Sequence, residues 1–417
     1  MCEVDRSKWA DLVLPGYEAK PGDSGILHSI RKLERATTNL KPHIPDNVSI
    51  NSFPSRSEDE SWAYRCRCTF QMIRDENGIF HYAMRHQKQP ILLGADKFPI
   101  ATLRIQQAMM GLTQKVLNSD CNSFSAIKQN LESATFSSAW QDTLDADCIV
   151  TLNYGKPLVK IDWEEQARVA CDILNLRQLN GRSKKCLYSA VESGEQTLRD
   201  TIFIHEVVDE GWDVSLSNPI LKNVSAREVY YEKPETAFFH PNAYAMKKAL
   251  GWMLNRLSNI ISECKHPCDM LEMYCGLGAH TMALGKTNLI REIMAVELDS
   301  RLVQACRRNI RNNGLEEKVK VSQADAGTWA ERYQKKEAKV FDILLVDPPR
   351  SGLDEQVCSM ALGGSFRHFL YISCGHKALL RDLERLSPMY EVVSCDQLDL
   401  FPRTDSIETL VHLQRRN

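Results

Sequence analysis

The sequence predicts a doubly wound α/β fold over its C-terminal part, a mostly parallel sheet with a late antiparallel edge, preceded by an α+β domain. Three observations carry this expectation. From about Asn242, strand-like apolar runs alternate strictly with helix-length stretches, the order that builds a parallel sheet. Tyr274-Cys275-Gly276-Leu277-Gly278 stands between the first of those runs and a helix, as glycine-rich ligand-binding turns do. Two short buried runs, FDILLVDPPRSG (341–352) and FLYISCGH (369–376), end in residues able to do chemistry.

Taken in order, residues 1–55 hold a helix over about 24–38 and then a segment, 41–61, rich in Pro, Ser, Asn and Asp, which reads as a loop or linker. From Trp62 the pattern turns to strands. YRCRCTFQMI (64–73) alternates, Asp75-Glu76-Asn77-Gly78 makes a hairpin turn, and IFHYAMRH (79–86) returns. A third run covers 89–100, helices are expected near 101–117 and 162–175, and further strands near 148–155 and 185–193. Together these make an α+β domain over 56–235. The α/β domain, 236–417, opens with a helix over 243–263. Strands over 268–278, 291–299 and 318–326 follow, then the two runs ending in Asp347 and Cys374, a helix over 377–387, and strands near 390–400 and 408–414.

Composition limits the function classes. The chain has 417 residues, is 43% hydrophobic and 25% charged, and carries a net charge of −2, so it is an ordinary globular chain without a global excess of positive charge. A polyanion can still dock on a local basic patch. No apolar run approaches the ~18 residues that span a membrane. Residues 1–20 have neither the apolar core of a signal peptide nor the Arg-rich look of a transit peptide, so the cytoplasm is expected, with the nucleus as the alternative. The fourteen cysteines are scattered; the close pairs Cys66/Cys68 and Cys264/Cys268 lack a second pair at zinc-site spacing, and no metal is expected.

The candidate site residues follow from position. In open α/β sheets, ligands bind at the carboxyl ends of the strands. Gly276 and Gly278 let the backbone approach a ligand there. Glu297 ends the next strand about 20 residues on, the spacing at which a carboxylate meets ribose hydroxyls. Asp325 ends the third strand, where it could face an adenine. The turn lacks the third glycine of a pyrophosphate loop, having His280 and Thr281 after Ala279, which favours S-adenosylmethionine over NAD. Cys374 closes a buried strand beside Gly375; a lone cysteine is usually an inert buried thiol, but at a strand end it is also placed as a nucleophile. Asp347 and Arg350 would share its crevice. Glu408, in FPRTDSIETL (401–410), is the candidate base from a third loop. Basic residues, Arg65 and Arg67 among them, alternate with aromatics such as Trp62, Tyr64, Phe70 and Tyr82; this mixture suits phosphates and unstacked bases, or simply a solvated sheet face over core aromatics.

Together these segments resemble the tRNA (uracil-5-)-methyltransferase family from about Tyr64 onward. The segments that carry the resemblance are YRCRCTFQMI, IFHYAMRH, DKFP (96–99), FFHPN (238–242), DMLEMYCGLG, VDPPRSGLD (346–354), LYISC (370–374) and FPRTDSIET. The resemblance implies a Rossmann-like class I methyltransferase domain and S-adenosylmethionine as donor. It implies Cys374 as nucleophile on uracil C6, Glu408 as acceptor of the C5 proton, and Tyr274, Glu297, Asp347 and the position of His240 as donor contacts. It implies an RNA partner held by the α+β domain, most directly the T-loop of tRNA, with Arg350, Arg65, Arg67 and Phe70 as the RNA contacts. The match starts without a preceding β-barrel module, which points to the tRNA branch; the alternatives are an rRNA substrate, or a catalytically weakened RNA-binding protein of the same fold. The chain departs from the family in three places: His240 stands where the family usually has Gln, Gly375-His376 where it has Asn-Pro, and Ser406 where it has His.

Overall fold

The computed structural model describes residues 25–55, 62–86, 89–93, 98–119, 122–141, 143–184, 186–191, 197–207, 211–217, 226–235, 237, 239–335 and 339–417. Asp96 and Lys97 of the DKFP segment and Phe238 of FFHPN lie outside them.

Helix α1 (Gly25–Leu40) forms where the sequence places it and buries Lys32, Leu33, Ala36 and Leu40 along one face. The stretch expected to be a loop carries a strand, β1 (Ile50–Phe53), which pairs in parallel with residues 395–398. Its Asn51 donates to Asp396 Oδ1 at 2.7 Å. Four residues with two polar centres give no local strand signal, so only the distant partner reveals it.

A seven-stranded sheet follows: β2 (Arg67–Arg74), β3 (Phe80–His86), β4 (Gln89–Leu93), β5 (Leu131–Ser138), β6 (Cys148–Tyr154), β7 (Gln178–Ser183) and β8 (Cys186–Ser189), in the order β4-β3-β2-β5-β6-β7-β8. All its pairs are antiparallel except β6 with β7. In the β2–β3 turn Asp75 Oδ1 accepts the amides of Asn77 and Ile79, and Gly78 takes φ +81°. Helices α2 (Leu103–Gly111), α3 (Ser125–Lys128) and α4 (Lys160–Ile173) contribute to the apolar core of this sheet. That core corrects one expectation. Phe70 is 1% exposed and packs edge-on against Phe98 at 4.8 Å, with Tyr82 and Phe136 around it. Its ring faces are covered by protein and cannot stack on a base; Trp62, Tyr64 and Tyr82 are buried too.

A three-stranded sheet, β9 (Thr197–Val207), β10 (Gly211–Ser215) and β11 (Arg227–Pro234), has the order β10-β9-β11. It belongs to the α/β core rather than to the seven-stranded sheet's core. Ile202, Ile204, Val229 and Tyr231 pack with Leu250, Met253, Leu257 and Ile310, and Asn309 and Asn313 bond the backbone of Glu232 and Tyr230. Helix α1, strand β1 and the sheet of β9, β10 and β11 thus attach to the α/β sheet.

The α/β part runs α5 (Ala243–Cys264), β12 (Cys268–Met273), α6 (Ala279–Gly285), β13 (Ile290–Glu297), α7 (Ser300–Asn312), β14 (Val319–Gln323), α8 (Ala326–Lys335), β15 (Ile343–Val346), α9 (Glu355–Gly363), β16 (His368–Ser373), α10 (His376–Leu386), β17 (Tyr390–Leu398) and β18 (Glu408–Arg415). Its sheet has the order β1-β17-β18-β16-β15-β12-β13-β14. β12 through β16 are mutually parallel and β18 is antiparallel to both neighbours. The antiparallel strand is therefore internal, flanked by β17 and closed off by β1. The strand order reverses between β12 and β15, which opens a crevice at their carboxyl ends. Among the described residues no helix is long and apolar enough to cross a membrane.

Candidate active site

Register brings the chemistry together. β15 pairs with β16 through Val346↔Tyr371, so Asp347 leaves its strand beside the end of β16. β16 pairs with β18 as far as Ser373↔Thr409, so Cys374 and Glu408 are the next residues on the two strands, and the Glu408 charge acts on the Cys374 thiol. The thiol and two carboxylates thus meet at adjacent strand ends.

The Asp347-Pro348-Pro349-Arg350 loop lies against the nucleophile's loop. A Cβ on Gly375 would stand 2.4 Å from the Arg350 carbonyl oxygen, a distance no side chain tolerates. Glycine at 375 is what lets the two loops touch. Asp382 of α10 holds the rest of that loop: its Oδ2 accepts the Leu353 amide and the Tyr371 hydroxyl, each at 2.8 Å. Arg350 is exposed and reaches Ser406 Oγ at 3.4 Å.

Burial and the neighbouring carboxylates of Glu408 and Asp347 push the Cys374 thiol up to about 11, while Arg350 pulls the other way. At neutral pH the free protein therefore holds it mainly as the thiol. Alkylation of Cys374 by iodoacetamide, followed by peptide mass spectrometry, is expected to be slow near neutral pH and to rise roughly tenfold per pH unit toward the thiol's titration, because only the thiolate reacts. Fast alkylation at neutral pH contradicts this electrostatic picture.

Glu408 is 6% exposed and its Oε2 lies 3.2 Å from His240 Nε2. The loop leading into Glu408 is fastened by α1. Lys32 is 1% exposed, pairs with Asp399 at 2.5 Å and donates to the carbonyls of Phe401, Thr404 and Ser406. Tyr64 OH bonds the Pro402 carbonyl, and the Arg403 guanidinium lies 3.6 Å from the Trp62 ring centre. Lys32 went unread in the sequence because its partners are some 370 residues away. Lys32→Met should leave Asp399 as a buried unpaired charge, which costs about 3–5 kcal/mol. Denaturant unfolding is expected to show that loss together with reduced activity; unchanged stability contradicts the role given to the ammonium.

The donor-side residues line the other strand ends. Tyr274, Gly276 and Gly278 all take positive φ, +62°, +60° and +86°. At Gly278 a Cβ would fall 2.8 Å from Met282 Cε and 2.9 Å from Cys306 Sγ, so the turn packs flat onto α6 and α7. Tyr274 bears its strained backbone with its hydroxyl on Asp354 Oδ2 at 2.9 Å. Glu297 holds the turn, its Oε2 accepting the Gly276 amide at 3.0 Å and its Oε1 the Asp299 amide at 2.8 Å. Asp325 is exposed, with Oδ1 bonded to the Thr328 amide and hydroxyl at the start of α8. His280, unassigned in the sequence, bonds Asp347 Oδ2 at 3.1 Å, and the pair of bond and charge there raises its affinity for a proton despite burial. Beside it Glu272 is fully buried, bonded to Thr281 at 2.7 Å, and burial raises its carboxyl to about 7. Glu272 Oε1 and His280 Nδ1 are among the buried polar atoms of the described residues that have no hydrogen-bond partner. An acidic crevice with unspent polar atoms and a glycine turn fits a cationic sulfonium donor carrying an amino acid and a nucleoside.

The proposed RNA arginines are largely engaged inside the protein. Arg67 donates to the Ala237 carbonyl and lies over the Phe239 ring at 5.6 Å. Arg65 lies over the Phe401 ring at 5.1 Å, and its Nε donates to the Arg67 carbonyl. Both brace the loops around the site, which composition alone does not reveal.

Residues 31–416 match the family model described as tRNA (Uracil-5-)-methyltransferase. The chain belongs to this family. Among its relatives, the tRNA/tmRNA (uracil-C(5))-methyltransferase of Ectopseudomonas mendocina is 31% identical over 367 residues, covering 85% of this chain and 88% of that one. The protein of the same name from Acinetobacter baylyi is 27% identical over 400 residues, covering 92% and 96%. The Pyrococcus abyssi tRNA (uracil-54, C5)-methyltransferase, crystallised with S-adenosyl-L-homocysteine, superposes with a TM-score of 0.60 at 17% identity, covering 92% of this chain and 83% of that one, and shows the shared fold. As a tRNA (uracil-5-)-methyltransferase family member the chain is a methyltransferase, and it shares the fold of the Pyrococcus abyssi enzyme. The positions at which the sequence departs from the pattern the resemblance implies lie at the site just described: Gly375 under Arg350, Ser406 beside Arg350, and His240 on Glu408.

Proposed function

We propose that this protein methylates C5 of a uridine in tRNA, most directly the T-loop uridine, through a covalent adduct on Cys374, and that it works in the cytoplasm. The observation that supports the reading is that the β16–β18 register ends at Ser373↔Thr409, beside Cys374 and Glu408, and that the charges of Glu408 and Asp347 both act on the Cys374 thiol. C5 of uracil is a poor carbon nucleophile. Attack of the Cys374 thiolate on C6 forms an S–C6 bond and moves the C5–C6 π electrons toward O4 as an enolate. C5 then attacks the donor's methyl carbon; the C5–CH3 bond forms as the methyl–sulfonium bond breaks, its electrons return to the donor's sulfur, and a neutral thioether leaves. Glu408 accepts the C5 proton; the C5–H electrons re-form the double bond, and the S–C6 electrons return to the cysteine sulfur. Covalent catalysis of this kind divides one hard step into easier ones. A uridine inside a stacked loop has to leave its stack to reach such a crevice, and exposed Arg350 at the mouth supports a phosphate contact.

Incubation with methyl-labelled donor and unmodified tRNA, followed by nucleoside mass spectrometry, tests the reading. Label is expected in 5-methyluridine at one T-loop position. Label found only with rRNA, or none with either RNA, overturns the tRNA assignment.

A further inference from the structure

We propose that His240 is a positioning residue for the proton-accepting carboxylate: its ring, fixed as the Nε2–H tautomer, holds Glu408 Oε2 and leaves Oε1 to take the C5 proton. The inference rests on the reading of Glu408 as base.

The tautomer follows from two contacts. The backbone N–H of Asn242 points at His240 Nδ1 from 3.2 Å. A donor meets only a lone pair, so Nδ1 carries no hydrogen and a neutral ring carries its own on Nε2. Nε2 lies 3.2 Å from Glu408 Oε2 and therefore donates to it. Among the described residues Oε1 of Glu408 has no hydrogen-bond partner. The same geometry excludes a relay: Nε2 already holds a hydrogen, and Nδ1 is taken up by an amide that cannot accept one. It also leaves neither ring nitrogen for the methyl donor, the contact that the family resemblance implies for this position.

The ring is held in place from both sides. The His240 carbonyl accepts Trp140 Nε1–H at 3.2 Å. Asn242 starts α5, its Oδ1 accepting the amides of Tyr244 and Ala245 at 3.0 and 3.2 Å. Its Nδ2 donates to the Leu400 carbonyl at 2.7 Å, in the loop that leads to Glu408. One short segment therefore fixes both the ring and the loop carrying the carboxylate, the arrangement that preorganises a proton acceptor.

Single-turnover reactions with unmodified tRNA and methyl-labelled S-adenosylmethionine, quenched in denaturant, separate protein-linked from released methylated RNA. His240→Ala is expected to form the methylated adduct but release it roughly 10- to 100-fold more slowly, the scale of losing a hydrogen bond to a charged group. His240→Gln supplies an amide N–H in reach of Glu408 and is expected to restore release. His240→Phe, which keeps the ring volume without a donor, should behave like His240→Ala and serves if the alanine variant does not fold. Adding His240→Ala to Glu408→Gln should trap no more adduct than Glu408→Gln alone. Release at the wild-type rate in both His240→Ala and His240→Phe overturns the inference, as does a defect that saturating donor relieves. If Glu408→Gln itself traps nothing, the base assignment fails instead; if it traps while the His240 variants release normally, only the role of His240 fails.

Discussion

Cys374→Ala is expected to abolish methyl transfer, with a loss on the order of 10^4- to 10^6-fold, the scale of removing a covalent nucleophile. RNA affinity should stay within about twofold, because phosphate contacts rather than the thiol hold the substrate. The thiol is half-buried at the end of β16, and its removal leaves a small gap near the crevice rather than a hole in a core. Filter binding and a methyl-incorporation assay check both halves of the expectation. Residual turnover within about tenfold of wild type would exclude a Cys374 adduct, since no uncatalysed addition at C6 replaces it at that rate.

Glu408→Gln is expected to do the opposite of an ordinary loss of function. Addition and methyl transfer need Cys374 and the donor, so they proceed. The amide cannot take the C5 proton, so elimination stops and the protein stays bonded to methylated RNA. The substitution is nearly isosteric, and the glutamine carbonyl still accepts the His240 Nε2–H that Glu408 accepts at 3.2 Å. A denaturing gel should show a retarded RNA-dependent band carrying methyl label. Release of product at the wild-type rate would remove Glu408 from the role of base.

Much of this site was legible in local sequence, and the reason is that its parts sit at strand ends. The runs before Asp347 and Cys374 are continuous and apolar because β15 and β16 are covered on both faces, and a strand of that kind announces where it stops. The glycine turn at 276–278 and the carboxylate at 297 were legible for a similar reason, since a positive φ and a fixed spacing are local demands. What was hidden depends on distant partners. Nothing near Ile50 says that it pairs with Cys395, and nothing near Lys32 says that it closes on the carbonyls before Glu408. Phe70 misled because a basic strand with aromatics looks the same whether its rings face solvent or a core; only the packing of Phe98 and Phe136 decides. His240 lies in the segment expected to touch the donor, and its contact with Glu408 needs the 168-residue closure between them.

The proposed mechanism bonds one cysteine, Cys374, to the ring carbon, and Cys374 is the thiol on which the charges of both Glu408 and Asp347 act. The direct measurement is peptide mapping of the Glu408→Gln protein after reaction with donor and unmodified tRNA, digested with nuclease and protease. A mass increment of one methylated uridine nucleotide on the peptide containing Cys374 is the expected result. An increment on any other cysteine, or methylated tRNA with no protein-linked nucleotide at all, would contradict the covalent mechanism.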